Sequence, residues 1–89
     1  MNDIRLSQDD LAPSVNRLKR ARGQLDGVIK MIDEGRDCSE ILTQLAAVSK
    51  AIDRAGFSMI ATGLLHCQAE GESAKEARER LEKMFLSLA

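Results

Sequence analysis

Apolar residues recur along this chain at steps of three and four. Val15, Leu18, Ala21, Leu25, Val28, Ile29 and Ile32 keep that step, which lays them on one stripe of an amphipathic helix. The pattern predicts a first helix over about 11–34. Asp9 or Asp10 can cap it, and Pro13 is tolerable within a first turn, where amide hydrogens lack intrahelical partners. Gly35 supplies a stop. Ile41, Leu42, Leu45, Val48, Ile52, Met59, Ile60 and Leu64 carry the same periodicity and predict a second helix over about 38–68. Asp37, with Glu40 three residues later, resembles a capping box at its start. A second stripe of small residues, Ala47, Ala51 and Ala55, would let another helix approach closely. Gly56 and Gly63 interrupt this helix at ~1 kcal/mol each relative to Ala, marking either a tight interhelical contact or a kink. Gly71 ends it. Ser73 and Glu76 give a second capping-box signal before a third helix over about 74–88, which bears Ala77, Leu81, Met84, Phe85 and Leu88. Residues 1–8 read as a flexible arm. No stretch alternates as a strand would.

The fold class is therefore all-α, a three-helix chain forming a single domain over 1–89. A chain of this length buries only about 60–65% of its unfolded surface by itself. Two long helices make a hairpin, and one hairpin leaves apolar surface uncovered. Two hairpins together make an antiparallel four-helix bundle. The expectation is at least a dimer with twofold symmetry.

Charge adds a second layer. The net charge of −1 argues by itself against a nucleic-acid partner. Its distribution argues the other way. Between Leu11 and Leu25 stand Arg17, Lys19, Arg20 and Arg22 with no acidic residue. A run of this size is more often a solvated helix face, yet a positive patch on an oligomer attracts phosphates despite a near-neutral total. With no Trp or Tyr and two Phe, base-stacking platforms are not expected. No signal peptide and no membrane-spanning run is visible, so the expected setting is cytoplasmic and reducing, with no membrane partner.

In such a setting two cysteines are too few for a disulfide scaffold, and a reactive or metal-binding pair is the sharper reading. The plain alternative is that both are small packing residues. Cys38 and Cys67 stand near opposite ends of the predicted second helix, roughly 43 Å apart along its axis at ~1.5 Å per residue. A disulfide needs Cα atoms within about 7 Å, so the two thiols of one subunit cannot meet on a continuous helix. They can meet across subunits whose helices run antiparallel. Cys38 would open the helix, where the N-terminus and nearby Arg36 favour a thiolate while Asp37 and Glu40 oppose it. Cys67 would lie near a C-terminus, which favours the protonated thiol. Cys38 is then the nucleophile and Cys67 the resolving thiol. His66, the sole histidine, points about 100° away from Cys67 on a helix and reads as a solvent-facing or capping residue. No motif of a common catalytic site is present, which argues against an enzyme.

The segment NRLKRARGQLDGVIKMIDEGRDCSEILTQLAAVSKAIDRA resembles the CsoR/RcnR/FrmR family of bacterial transcriptional repressors. The stretches RLKRxxGQLxGxxxMI and CxxxLTQLAAV carry the likeness, which runs from about Asn16 to Cys67. The resemblance implies three-helix chains that form dimers and then dimer-of-dimers tetramers, bind operator DNA without a helix-turn-helix, and release it on binding an inducer. It places the functional arginines on Arg17 and Arg54. Lys19, Arg20, Arg22 and Lys50 join them from charge alone. Copper sensors of the family resemble this chain at Cys38 and Cys67, but their histidine falls on Gly63. The aromatic that copper members often place just before the first Cys is Asp37 here. The aldehyde-sensing members generally lack the second cysteine. Two cysteines without the histidine resembles the CstR-like branch, which implies a persulfide or polysulfide inducer bridging Cys38 and Cys67 of a neighbouring subunit through a di- to tetrasulfide, with no cofactor required. The alternative is a Cu(I) sensor that uses the two thiolates. A second alternative, of another class, is a helical interaction module that does not bind DNA.

Overall fold

The computed structural model describes residues 5–66 and 72–89, with side chains in the second segment described from Lys75 onward. Three helices follow one another: α1 over Gln8–Asp33, α2 over Cys38–His66 and α3 over Glu72–Leu88. No strand occurs among the described residues.

α1 begins three residues earlier than the apolar periodicity predicts. Its cap is Ser7, not Asp9 or Asp10. The Ser7 hydroxyl accepts from the Asp10 amide (3.0 Å) and the Asp10 carboxylate accepts from the Ser7 amide (3.2 Å), so two amides that lack helical partners are satisfied reciprocally. Hydrogen bonding to the charged carboxylate from Ser7, its hydroxyl first and its amide second, holds the Asp10 carboxyl below the usual aspartate value. Residues 5–8 are thus no free arm: Ser7 caps α1 and Gln8 is already helical. The earlier start also moves Pro13 out of the first turn to the sixth helical position. There its ring removes one backbone donor from the helix interior. The stop at Gly35 is as expected. Gly35 takes a φ of 69°, its amide donates to Ile32 O (3.0 Å) and the Arg36 amide to Met31 O (3.0 Å). This pair of bonds is the Schellman arrangement, which needs a residue tolerant of the left-handed region.

At the start of α2 only half of the anticipated capping box forms. Asp37 accepts from the Ser39 hydroxyl and from the Ser39 amide (3.0 Å). Glu40 does not reach back to Asp37. It pairs instead with Arg36, whose Nη2 lies 2.8 Å and Nε 3.0 Å from Oε2. The predicted end of α2 at 68 and the stop at Gly71 lie outside the described residues. α3 begins at Glu72, so Ser73 falls inside it rather than before it.

The α1–α2 hairpin is zipped by small residues. Ser14, Ala21 and Val28, seven apart on α1, are buried, as are Val48 and Ala55, seven apart on α2. A seven-residue repeat keeps one seam in register along two helices crossing at a shallow angle. Ala55 is fully enclosed and Ala51 half-buried, while Ala47 is exposed, so the small stripe seats α1 only over its later part. The Ser14 hydroxyl donates to Ser58 Oγ at 2.9 Å, satisfying the one buried polar side chain of the seam.

α3 packs on α2 and not on α1. Ile60, Ala77 and Leu81 form its buried core, with Leu64 against them. The two glycines of α2 make this contact. A Cβ at Gly56 would come within 2.8 Å of Leu88 Cδ1, and one at Gly63 within 2.9 Å of Leu81 Cδ1. Gly56 and Gly63 are seven apart, and so are Leu81 and Leu88. Each leucine drops into a glycine gap, antiparallel and in fixed register. Of the two meanings open for these glycines, the structure assigns tight interhelical contact.

Candidate functional site

Three features of the hairpin bear chemistry: a thiol at one end, a histidine–aspartate pair at the other, and an arginine cluster on one broad face.

Cys38 is the first residue of α2 and its thiol is exposed and free. The hydrogen bonds of Ser39 to Asp37, the hydroxyl first, hold the Asp37 carboxyl below its usual value, so a carboxylate stands directly before the thiol. Arg36, expected to favour a thiolate at Cys38, is engaged by Glu40 and lies 3.9 Å from Glu34. Cys67 lies outside the described residues. Its chain neighbour His66 closes α2 at the end remote from Cys38, about 42 Å along a continuous helix. His66 is not simply solvated. Its Nε2 lies 3.2 Å from Asp10 Oδ1, tying the end of α2 to the first turn of α1.

The basic residues split into two sets. Arg17, Arg20, Gln24, Ala51 and Arg54 line one small depression on the hairpin. Arg17 and Arg54 continue into a second, wider one with Phe57, Ser58, Ala61, Thr62 and Leu65. Residues three or four apart share a helix face, so Arg17 and Arg20 project together from α1, and Lys50 stands one turn before Arg54 on α2. Lys19 and Arg22 stand two and five positions after Arg17, roughly 140–160° round the helix. The structure therefore gathers Arg17, Arg20 and Arg54, keeps Lys50 on the same side, and turns Lys19 and Arg22 away. Sequence reasoning missed Phe57, which lines the wider depression and meets Phe85 of α3 with ring centroids 5.1 Å apart at 51°. Its i, i+3 spacing from Arg54 was the available signal. Ser58, bonded to buried Ser14, was also missed.

The opposite face of the hairpin is apolar. Leu18, Leu25, Ile29 and Ile32 of α1 and Leu45, Ile52 and Met59 of α2 are 39–57% exposed in the single chain. No helix among the described residues is long and apolar enough to cross a membrane.

Comparison with known proteins gives the class to which this three-helix chain belongs. The family of metal-sensitive transcriptional repressors matches residues 11–87, and the chain belongs to that family. The family consists of repressors, not enzymes. Among curated relatives, the copper-sensing transcriptional repressor CsoR of Mycobacterium ulcerans is 39% identical over 66% of this chain and 50% of its own length. The copper-sensing transcriptional repressor RicR of Mycobacterium tuberculosis is 32% identical over 82% of this chain and 78% of its own. Uncharacterized protein YrkD of Bacillus subtilis is 41% identical over 65% of this chain and 92% of its own. The chain thus spans about half the length of the CsoR relative. No solved structure matches it significantly.

Proposed function

We propose that this chain is a DNA-binding transcriptional repressor whose operator affinity is switched by sulfur chemistry between Cys38 and Cys67 of a neighbouring subunit. Arg17, Arg20, Arg54 and Lys50 contact operator phosphates. Such contacts position a protein on DNA and dominate its affinity. The working form is at least a dimer. Seven half-exposed apolar side chains on one face gain roughly 1 kcal/mol each on further burial, which supports pairing of two hairpins into a four-helix bundle. A dimer of dimers extends it.

In the switching step the Cys38 thiolate attacks the sulfane sulfur of a low-molecular-weight persulfide. A Cys38 persulfide forms and the inducer leaves as a thiolate. The Cys67 thiolate of the neighbouring subunit then attacks the Cys38 sulfur and expels hydrosulfide, leaving a disulfide. The inducer is the oxidant, reduced to thiol and hydrosulfide. A polysulfide leaves a longer bridge by the same displacements.

The observation that carries the choice of sulfur is the packing at Gly63. The position that resembles the copper sensors' histidine has no donor here, and its space is filled by the Leu81 side chain. That leaves two thiolates as the sensing set. A second reading is favoured by the relatives named as copper-sensing: Cys38 and Cys67 of the neighbouring subunit hold Cu(I) as a two-sulfur pair, which suits a soft ion.

Intact-mass measurement of the anaerobic reduced protein, treated with a small persulfide or with Cu(I) while operator binding is followed, separates the two. A covalent dimer together with DNA release supports sulfur sensing. DNA release by Cu(I) with the thiols intact, and none with persulfide, refutes it.

A further inference from the structure

We infer that Phe85 of α3 positions the arginine face through Phe57, so that operator affinity depends on how α3 sits on α2. The inference rests on the DNA-binding reading above and adds to it a residue outside the basic set.

The register of α3 is fixed. Leu81 and Leu88 each occupy the gap left by a missing Cβ, at Gly63 and Gly56. A slip of one residue would press a leucine on Thr62 or Leu64, where a side chain already stands. Held this way, α3 presents Phe85, between the two leucines, against the Phe57 ring at a centroid distance of 5.1 Å. A tilted pair at that distance is a favourable aromatic arrangement. Phe57 is one wall of the depression that Arg17 and Arg54 share, and it stands one helical turn after Arg54. Ser58, which also lines that depression, is bonded to buried Ser14 on α1, one turn before Arg17. The arginines thus share a depression with one residue tied to α1 and one that α3 supports. Withdrawing the Phe85 ring frees Phe57 to turn toward Arg54 and changes where that guanidinium rests.

The test uses the full reduced chain and a DNA duplex carrying its operator. Phe85→Ala should retain helicity and oligomeric state, shift the Arg17 and Arg54 side-chain Nε–Hε resonances and leave those of Arg22 in place. For each phosphate that an arginine no longer neutralises, operator binding should weaken by about eightfold at ~0.1 M salt, and the slope of log K against log salt should flatten by about 0.9. In an Arg54→Ala background the same change should flatten the slope no further, and Phe85→Tyr should retain the wild-type slope. A lower folded fraction would reduce affinity without altering the slope, so a merely structural role is distinguishable. Should Phe85→Ala unfold, Phe85→Leu removes the ring while keeping apolar bulk, and the same resonances are read. Unmoved arginine resonances, or full additivity with Arg54→Ala, would overturn the inference. If the wild-type chain binds no operator, the DNA reading falls and the resonances alone decide whether Phe85 positions the arginines.

Discussion

Replacing Gly63 with alanine sets two known effects against each other. Gly63 lies inside α2, where alanine is better than glycine by ~1 kcal/mol because it loses less backbone freedom. Against this, the new Cβ would stand 2.9 Å from Leu81 Cδ1, 3.4 Å from Cδ2 and 3.8 Å from Cγ. Leu81 is only 6% exposed and packs with Ile60 and Ala77, so it has little room to turn away. Overpacking of this kind costs about 1–3 kcal/mol. The net for Gly63→Ala is a destabilisation of up to about 2 kcal/mol. In a Leu81→Ala background the clash is gone, and the same substitution should stabilise by ~1 kcal/mol. The coupling between positions 63 and 81 is therefore about 1–3 kcal/mol. Urea unfolding followed by far-UV circular dichroism measures it, since the chain has no Trp or Tyr for fluorescence. Protomer concentration must be held fixed, because association contributes to apparent stability. A Gly63→Ala effect of the same sign and size in both backgrounds would refute the glycine-gap account of α3 docking. It would also remove the packing argument that Gly63 is committed to structure.

Three further outcomes follow from the geometry. Arg54→Ala and Arg17→Ala should each weaken operator binding and flatten its salt dependence by about 0.9 for every phosphate left without its arginine, whereas Arg22→Ala, turned away from the cluster, should change neither in a filter-binding titration. Ser14→Ala should cost about 1 kcal/mol in urea unfolding, because the half-buried Ser58 hydroxyl loses its partner at 2.9 Å, and Ser58→Ala added to it should cost little more. Asp37→Ala should lower the urea midpoint at neutral pH. Hydrogen bonds from Ser39 depress the Asp37 carboxyl in the folded state, so its stabilisation is present above the unfolded value and fades as pH falls below about 4. The gap between wild type and Asp37→Ala should close over that range, and a gap unchanged by acid would show that the carboxylate does not cap α2.

The helices were legible because the three-and-four apolar step persists over long stretches, and their ends were less so. The start of α1 was misplaced because counting the helix from Leu11 passes over Ser7 and Asp10, whose three-residue spacing is itself a capping signal. The seam between α1 and α2 was legible only in part. Val28, Val48 and Ala55 belong to the apolar and small stripes, yet Ser14, a polar residue, is as buried as any of them. Leu18 and Leu25 lie on the same stripe as Ala21 and remain outside, because close helix approach selects the smallest side chains. No one-dimensional pattern tells which half of a wide stripe meets the neighbouring helix. The arginine cluster shows the same division. Arg17 and Arg20 can be grouped from spacing, and spacing also turns Lys19 and Arg22 away. Placing Arg54 beside Arg17 requires knowing how two helices far apart in sequence align.

α2 carries most of the consequences, because its strips have different tasks. Val48 and Ala55 meet α1. Gly56, Ile60 and Gly63 receive α3. Between those strips run Leu45, Ile52 and Met59, an apolar line left open in the single chain. On the far side, Arg54 and Phe57 line the basic depression with Arg17. At ~100° per residue these strips cannot be shifted independently. A rotation of α2 that changed the open apolar line would also move Arg54 relative to Arg17 and Leu81 relative to Gly63. The covalent tie or bound ion proposed at Cys38 would act on the first residue of this same helix. If the partner hairpin rests on the Leu45–Ile52–Met59 line, as proposed, a small turn imposed at the thiol end is carried along a 29-residue rigid element to the arginines. Coupling of this kind should vanish when a helix break, such as Ser49→Pro, separates Cys38 from Arg54. A Ser49→Pro variant that still folded and still released DNA on thiol modification would show that α2 is not the element connecting the two sites.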